Sequence, residues 1–240
     1  MKYENIIKGK FIARPNRFIA QVDIDGKREQ AHVKNTGRCK ELLTDGAELY
    51  LEDFDGRMGN RKLRYSLINV RKGELLINMD AQAPNKVCEE ALLSGELTLP
   101  GMGKLVLVKR EKTYGKSRFD FYVEDENGQK GWLEVKGVTL EDSGVARFPD
   151  APTERGIKHI EELIKAVEEG YKGYLLFVIQ MKGVNVFEPN MSTHQAFGEA
   201  LQRAEKQGVT ILAYDCKVTM NTLELDQEIP VNLYPTKKTK

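Results

Sequence analysis

The sequence predicts an α+β chain of two domains, a small N-terminal β-barrel over residues 1–82 and an α/β domain with a mixed sheet over residues 83–240. Three observations carry this. Short β-like runs between turn signals fill the chain from Ile6 to about Asp80, Ala83-Pro84-Asn85 breaks that pattern, and beyond it a strand pair is followed by helices alternating with strands. At 240 residues the length lies between one large domain and two small ones, and 40% hydrophobic with 30% charged residues is the composition of a folded globular protein.

The barrel runs are KFIARPN, RFIAQVDIDGK, EQAHVKN, ELYLED, RYSLINVRKG and LLINMD. Their even spacing suggests a closed or nearly closed sheet. Among them NTGRCKELLTDG reads as a short helical segment opened by Thr36 and Gly37 and ended by Asp45-Gly46. A five-stranded barrel interrupted by one helix fits an OB-fold. After the break, KVCEEALLSG reads as a helix closed near Gly95, followed by a strand at 104–110 and a hairpin from Ser117 to Leu140. A helix from about Thr153 to Glu169, a buried strand at 174–180, a helix at about 194–207 and a strand at 209–214 complete the domain, with Gly170 and Gly208 where C-caps belong. The tail PTKKTK is expected to be disordered.

Net charge is +1, so nucleic-acid binding cannot be argued from global charge and needs a local patch. Basic clusters do occur early, at Lys27-Arg28, Arg61-Lys62-Arg64 and Arg71-Lys72. The cysteines Cys39, Cys88 and Cys216 lie far apart, are odd in number and lack metal-ligand spacing, which argues against a disulfide scaffold or a zinc site. No apolar run has signal or membrane-span length, so a cytoplasmic protein with reduced thiols and no membrane partner is expected.

The hairpin is where chemistry enters. A two-residue Asn127-Gly128 turn would mix aromatic and charged side chains on both faces. A three-residue loop Glu126-Asn127-Gly128, with Gly128 left-handed in a bulge, instead pairs Phe119 with Val135, Phe121 with Leu133 and Val123 with Gly131 on one apolar face. The other face then opposes Asp120 to Glu134, Tyr122 to Trp132 and Glu124 to Lys130, with Lys136 beside Glu134. Carboxylates opposed at about 5 Å repel, and a cation between them would relieve that. Two carboxylates and a backbone carbonyl suit Mg²⁺ or Mn²⁺, and a nearby amine suits the charge that develops in phosphodiester hydrolysis. A solvated face with scattered ion pairs satisfies the same spacing.

Asp120 followed by Glu134-Val135-Lys136 resembles the PD-(D/E)xK nuclease signature, with Phe119 where that signature has Pro. Together with HVKNTGRCKELL, SRFDFYVED, LEVKGVTL, ARFPDAPTERGIKHIEEL, LLFVIQ and ILAYDCKV, it makes nearly the whole chain resemble the sugar fermentation stimulation protein A family. The resemblance implies an OB-like barrel, a PD-(D/E)xK nuclease-like α/β domain, and a DNA-binding protein linked to regulation of sugar metabolism. It implies Asp120, Glu134 and Lys136 as the catalytic set, with Mg²⁺ or Mn²⁺ as cofactor. Many such nucleases add an acid from the preceding helix. Helical position does not separate Glu89 from Glu90, and the family pattern favours Glu90 as the third metal ligand beside Asp120 and Glu134. Nucleases of this fold often dimerise, but no heptad or long apolar edge in the sequence says so, which leaves a homodimer open.

Several cations are candidate nucleic-acid contacts. Lys116 and Arg118 end the basic run KREKTYGKSR beside the metal strand. Arg155 and His159 share a face near the start of the helix after the ExK strand, and a guanidinium matches two phosphate oxygens. In the barrel, Arg14, Arg17, Lys34, Asn35, Thr36 and Arg38 cluster around two turns, the Asn35–Arg38 part resting mainly on the family resemblance.

Overall fold

The structure, a computed structural model, describes residues 1–35 and 37–235, so Thr36 and nearly all of the predicted disordered tail lie outside the described residues. In chain order the elements are β1 (Ile6–Asn16), β2 (Ile19–Ile24), β3 (Lys27–Val33), β4 (Glu48–Asp53), β5 (Tyr65–Lys72), β6 (Leu75–Asn78), α1 (Ala83–Ser94), β7 (Leu105–Tyr114), β8 (Ser117–Asp125), β9 (Lys130–Val138), β10 (Leu140–Asp142), β11 (Val145–Phe148), α2 (Glu154–Glu168), β12 (Lys172–Ile179), β13 (Val186–Pro189), α3 (Gln195–Lys206), β14 (Thr210–Val218) and β15 (Leu223–Glu228).

Strands β1 to β5 form the barrel in the order β3-β2-β1-β4-β5, and β3 closes it by pairing parallel with β5. Alternation places Ala20, Val22, Ala31, Val33, Leu49, Leu51 and Leu67 inside, and closure removes the exposed edge that an open sheet would leave. The helix expected between β3 and β4 is only a turn, in which Leu43 N–H donates to Cys39 C=O at 3.0 Å. Cys39 itself has a left-handed φ of 44°, which no helix tolerates. Burial of Leu42 and Leu43, rather than helix propensity, holds this segment.

The second domain is an α/β unit on a mixed sheet of order β15-β14-β12-β9-β8-β7, in which β9, β12 and β14 run parallel and the outer pairings are antiparallel. Helix α1 begins with Pro84 in its first turn and ends on Gly95 at φ 81°, so proline entry and glycine exit both follow helix-end chemistry. Thr153 caps α2 by accepting from Gly156 N–H at 3.1 Å. Its stripe of Ile160, Leu163 and Ile164 packs on one face of the sheet with α3, while Val87, Cys88, Ala91 and Leu92 of α1 cover the other. The basic run KREKTYGKSR is strand up to Tyr114, with its turn at Gly115. The short sheet β10-β11-β13 and the edge strand β15 were not expected. Strands of three or four residues show too little alternation to read, and the Glu-rich β15 carries the charge that keeps an edge from pairing further. No helix among the described residues is long and apolar enough to cross a membrane.

The barrel docks at the carboxyl ends of β9, β12 and β14, where open α/β sheets place their sites. Asn78 N–H donates to Gln180 C=O at 2.8 Å, Gln180 Nε2 donates to Asn78 Oδ1 at 2.8 Å, and Asn69 Nδ2 donates to Met220 C=O at 3.0 Å. Lys72 reaches across to the Glu141 carboxylate at 2.8 Å. Burial pushes Glu141 up, but the Lys72 ammonium and the Gly144 N–H outweigh it and hold the carboxyl below its usual range. A depressed carboxylate stabilises the fold above its unfolded pKa of about 4.3, and that contribution is lost as pH falls through the folded value. Glu141→Gln is therefore expected to lower the urea midpoint at pH 7 and to converge on the parent protein in acid, and a deficit that stays constant with pH would refute this coupling.

Candidate metal and phosphate site

The site is built on the β8–β9 hairpin. Gly128 has φ 79°, Gly128 N–H donates to Asp125 C=O at 3.0 Å, and Asp125 N–H donates to Gln129 C=O at 3.0 Å, so the turn takes three residues. Phe121 pairs with Leu133, Tyr122 with Trp132, Val123 with Gly131 and Glu124 with Lys130. Phe121, Val123, Leu133 and Val135 face α1, and Tyr122 and Trp132 face the other way, with Trp132 buried among Tyr114, Phe119, Tyr122 and Tyr171.

Pairing stops at Phe121, and the next two residues depart from the expected faces. Phe119 lies 5.7 Å from Trp132 and 6.1 Å from the His159 ring, on the α2 side instead of beside Phe121. Asp120 turns its carboxylate into the gap between the strands, where Oδ2 accepts from Val135 N–H at 2.8 Å and Oδ1 accepts from Asn85 Nδ2 of α1 at 2.7 Å. The expected face-to-face opposition of Asp120 and Glu134 is thus corrected. The cause is backbone geometry: Glu111, which regular pairing would set against Asp120, has φ 52°, and both strands lose their alternation at this step.

Glu134 is 3% exposed and points toward α2. Its Oε1 accepts from both Lys136 Nζ and His159 Nδ1, while Oε2 is buried and has no hydrogen-bond partner among the described residues. Arg155 Nε donates to His159 Nε2 at 3.4 Å, which leaves the ring proton on Nδ1 for Glu134. Burial raises the Glu134 pKa, but the His159 hydrogen bond and the Lys136 charge outweigh it and hold the carboxyl low. Burial first, and the Glu134 charge second, push Asp120 up. The two acids therefore sense one another although they do not share a face.

Glu90 is not near these groups; it pairs with the N-terminal ammonium of Met1 at 2.7 Å and is half exposed. Glu89 pairs with Arg110 at 3.1 Å. The α1 residue bonded to Asp120 is Asn85, one turn before Glu89, and as an amide it lies outside the acid pattern. His159, expected as a surface contact, is buried against Glu134.

The predicted nucleic-acid residues divide. Arg14 is structural: its two Nη atoms donate to the carbonyls of Gly37, Arg38, Arg17 and Asn35, which ties the β1–β2 turn to Asn35, Gly37 and Arg38. Lys34 is paired with Asp80 at 2.8 Å in a largely buried position. Asn35 caps its own loop by accepting from Gly37 N–H, and Arg38 N–H donates to Asp150 Oδ2 at 3.0 Å. Arg17, Arg38, Lys116, Arg118 and Arg155 are exposed. Among the described residues Arg118 pairs with Glu111 at 3.5 Å, a screened surface pair. A contact that the sequence does not single out is Phe18, 45% exposed, with the Arg17 guanidinium 4.8 Å over its ring. Phe18 shares a groove with His32, Arg61 and Lys62, so the early basic cluster supplies the cations beside an exposed aromatic.

Comparison with known proteins adds to this geometry. Residues 12–79 match the family described as the SfsA N-terminal OB domain, and residues 82–222 match the sugar fermentation stimulation protein RE domain. A sugar fermentation stimulation protein homolog from Desulfitobacterium hafniense is 55% identical over 233 residues, covering 97% of this chain and 99% of its own. The homolog from Clostridium beijerinckii is 52% identical, covering 97% and 100%. The solved structure of Pyrococcus furiosus SfsA in complex with Ca²⁺ matches with a TM-score of 0.85 at 28% identity, covering 97% of this chain and 98% of that one.

Proposed function

This chain belongs to the sugar fermentation stimulation protein family, and from that premise we propose that it is a DNA-binding protein whose α/β domain carries a divalent-metal site able to hydrolyse phosphodiester bonds. The observation that carries the reading is the buried, unpartnered Oε2 of Glu134 beside the Lys136 ammonium. A desolvated carboxylate oxygen without a donor is costly, and a hard cation satisfies it.

The residues fit Mg²⁺ or Mn²⁺. Asp120, Glu134 and the Val135 carbonyl are hard oxygen donors, and of the two causes that push Asp120 up, burial and then the Glu134 charge, the second is what a dication offsets. Among the described residues no group of three or more acidic, His or Cys side chains could hold a metal, so water and substrate phosphate would complete the shell, as is usual for Mg²⁺. The Pyrococcus relative was solved with Ca²⁺, another oxygen-seeking cation, which supports a site of this class here. Bound metal supplies a Lewis acid for phosphoryl oxygens and acidifies water. His159 holds Glu134 Oε1 in place by donating Nδ1–H, Asn85 fixes Asp120, and Lys136 offers its ammonium to the charge that develops on the phosphate. Exposed Arg155, Lys116 and Arg118, with Arg17 and Phe18 on the barrel, are the proposed contacts to DNA backbone and bases.

The test is incubation with single-stranded, duplex and branched DNA and RNA in Mg²⁺ and in Mn²⁺. Cation binding requires ionised Asp120, whose pKa stands above the ordinary value of about 3.9. Mn²⁺ affinity is therefore expected to fall as pH is lowered from 7 toward that raised value, and Asp120→Asn to bind weakly throughout; a flat calorimetric profile for the parent protein counts against the site. A second reading, a non-catalytic DNA-binding regulator of sugar metabolism genes, draws on one observation: both Asp120 oxygens already have donors. It expects salt-sensitive binding without turnover in any metal.

A further inference from the structure

We infer that the cleft between the barrel and the α/β domain is a pocket for a single unpaired nucleobase, so that the nucleic acid handled at the adjacent acids carries an extrahelical or single-stranded nucleotide at that point. This rests on the nucleic-acid reading above and adds the class of substrate. The cleft has a volume of about 300 Å³ and is lined from the barrel side by Asn35 and Gly37, and from the other side by Phe148, Asp150, Thr153 and Gln180. That is the lower end of the range for small-molecule sites, roughly 300–1,000 Å³. A duplex cannot enter it.

Its position is set by the acids' own elements. Gly137 lines the cleft and follows Lys136 directly, while Thr153 caps the helix that carries Arg155 and His159. The floor is tightly made: a Cβ on Gly137 would stand 2.6 Å from Gln180 Oε1 and 2.7 Å from Pro84 Cγ. Gly37 is needed for a similar reason, since a side chain there would collide with the Asp150 carboxylate. Asp150 is held in the wall by the Arg38 N–H at 3.0 Å, one of the contacts that join the two domains.

The wall chemistry selects a base over a phosphate. Arg147, the one guanidinium in the lining, is paired with Glu188 at 3.3 Å and lies 3.9 Å from Asp142. Asp150 is an acceptor that repels phosphate and takes N–H donors. Phe148, Pro149 and Pro152 give flat apolar surface, and Asn35 gives an amide nitrogen, its Oδ1 being taken by Gly37 N–H, while Gln180 is held in the floor by its bonds to Asn78 and the Asp80 carbonyl. A planar ring with exocyclic amino donors, as in adenine, cytosine or guanine, matches this set better than thymine does. Extruding a paired base costs unstacking free energy, so a base that is already unpaired is the preferred occupant.

The experiment uses the full chain and four 20-base-pair DNA probes: fully paired, with one unpaired adenine, with one unpaired thymine, and with one unpaired 2-aminopurine. Fluorescence anisotropy is expected to give about tenfold or tighter binding of the unpaired-adenine probe over the paired one. The 2-aminopurine emission is expected to change on binding. Ala81→Phe, which fills the cleft from an exposed position, is expected to bring that ratio close to one. Asp150→Asn, which still accepts from Arg38, is expected to shift preference from adenine toward thymine at the unpaired position. Equal affinity for paired and unpaired probes, or a preference that persists in Ala81→Phe, overturns the pocket assignment and leaves the DNA-binding reading standing. No binding of any probe at low salt removes that reading, and the pocket with it.

Discussion

Lys136→Ala is expected to reduce metal-dependent phosphodiester cleavage by about 10²–10³-fold, the usual loss when one preorganised charge-stabilising donor is removed. Affinity for the nucleic acid is expected to stay within a few-fold. The split follows from where the ammonium sits. Lys136 is largely buried and bonded to Glu134 Oε1, so it is aimed at the acids and contributes little to an external phosphate-binding surface. Ground-state binding would come from the exposed cations, and Lys136 acts where charge grows during bond breaking. The variant should fold, because His159 still donates to Glu134 and the carboxylate is not left without a partner. Thermal unfolding of the variant supplies that control. Cleavage at parent rates by the purified variant would assign the activity to a contaminant or to another site. Loss of cleavage together with loss of binding would recast Lys136 as a binding residue.

Much of this site was legible because hairpin register is decided by the buried face. Only the three-residue turn puts Phe121, Val123, Leu133 and Val135 together, and Gly128 is the residue able to take the left-handed turn position. What the sequence hid was non-local. The turn of Asp120 into the strand gap depends on Asn85, 35 residues earlier, and on a left-handed Glu111 in the neighbouring strand. No alternation within β8 reports either one. Arg14 was misread because an arginine near two turns looks the same in sequence whether it meets phosphates or backbone carbonyls, and here it meets four carbonyls. Glu90 was misread because its partner is the chain's own first ammonium, a charge that no motif displays.

Asp80→Ala is expected to be the most destabilising of the substitutions considered, by about 3–5 kcal/mol, the range for removing one partner of a buried ion pair. Asp80 is 2% exposed and accepts from Lys34 Nζ at 2.8 Å, from Gln82 N–H at 3.0 Å and from Tyr3 OH at 3.4 Å, while its own carbonyl accepts from Gln180 Nε2 at 3.0 Å. Burial and the Asp80 charge hold the Tyr3 phenol well above its usual range, so it remains a neutral donor to the carboxylate. Alanine would leave Lys34 largely desolvated without a counter-charge and free the N–H that leads into α1. The comparison that isolates burial is Arg64→Ala. Arg64 makes a two-pronged contact to Asp53 at 2.6 and 2.7 Å, better geometry than the Lys34 pair, yet it is exposed, and exposed pairs contribute about 0–1 kcal/mol. For a chain of this size each kcal/mol moves the melting temperature by about 2–4 °C, so calorimetry should show roughly 6–20 °C lost in one variant and only a few degrees in the other. Equal losses would mean that the interior of the domain junction is solvated. A large loss confined to Asp80 also has a functional consequence, since Lys34 immediately precedes Asn35, which lines the cleft. Asp80→Asn separates the two effects: it keeps an acceptor for Gln82 and Tyr3 but leaves Lys34 uncompensated, so its melting temperature should fall less than that of the alanine variant while its selectivity for an unpaired base falls by as much.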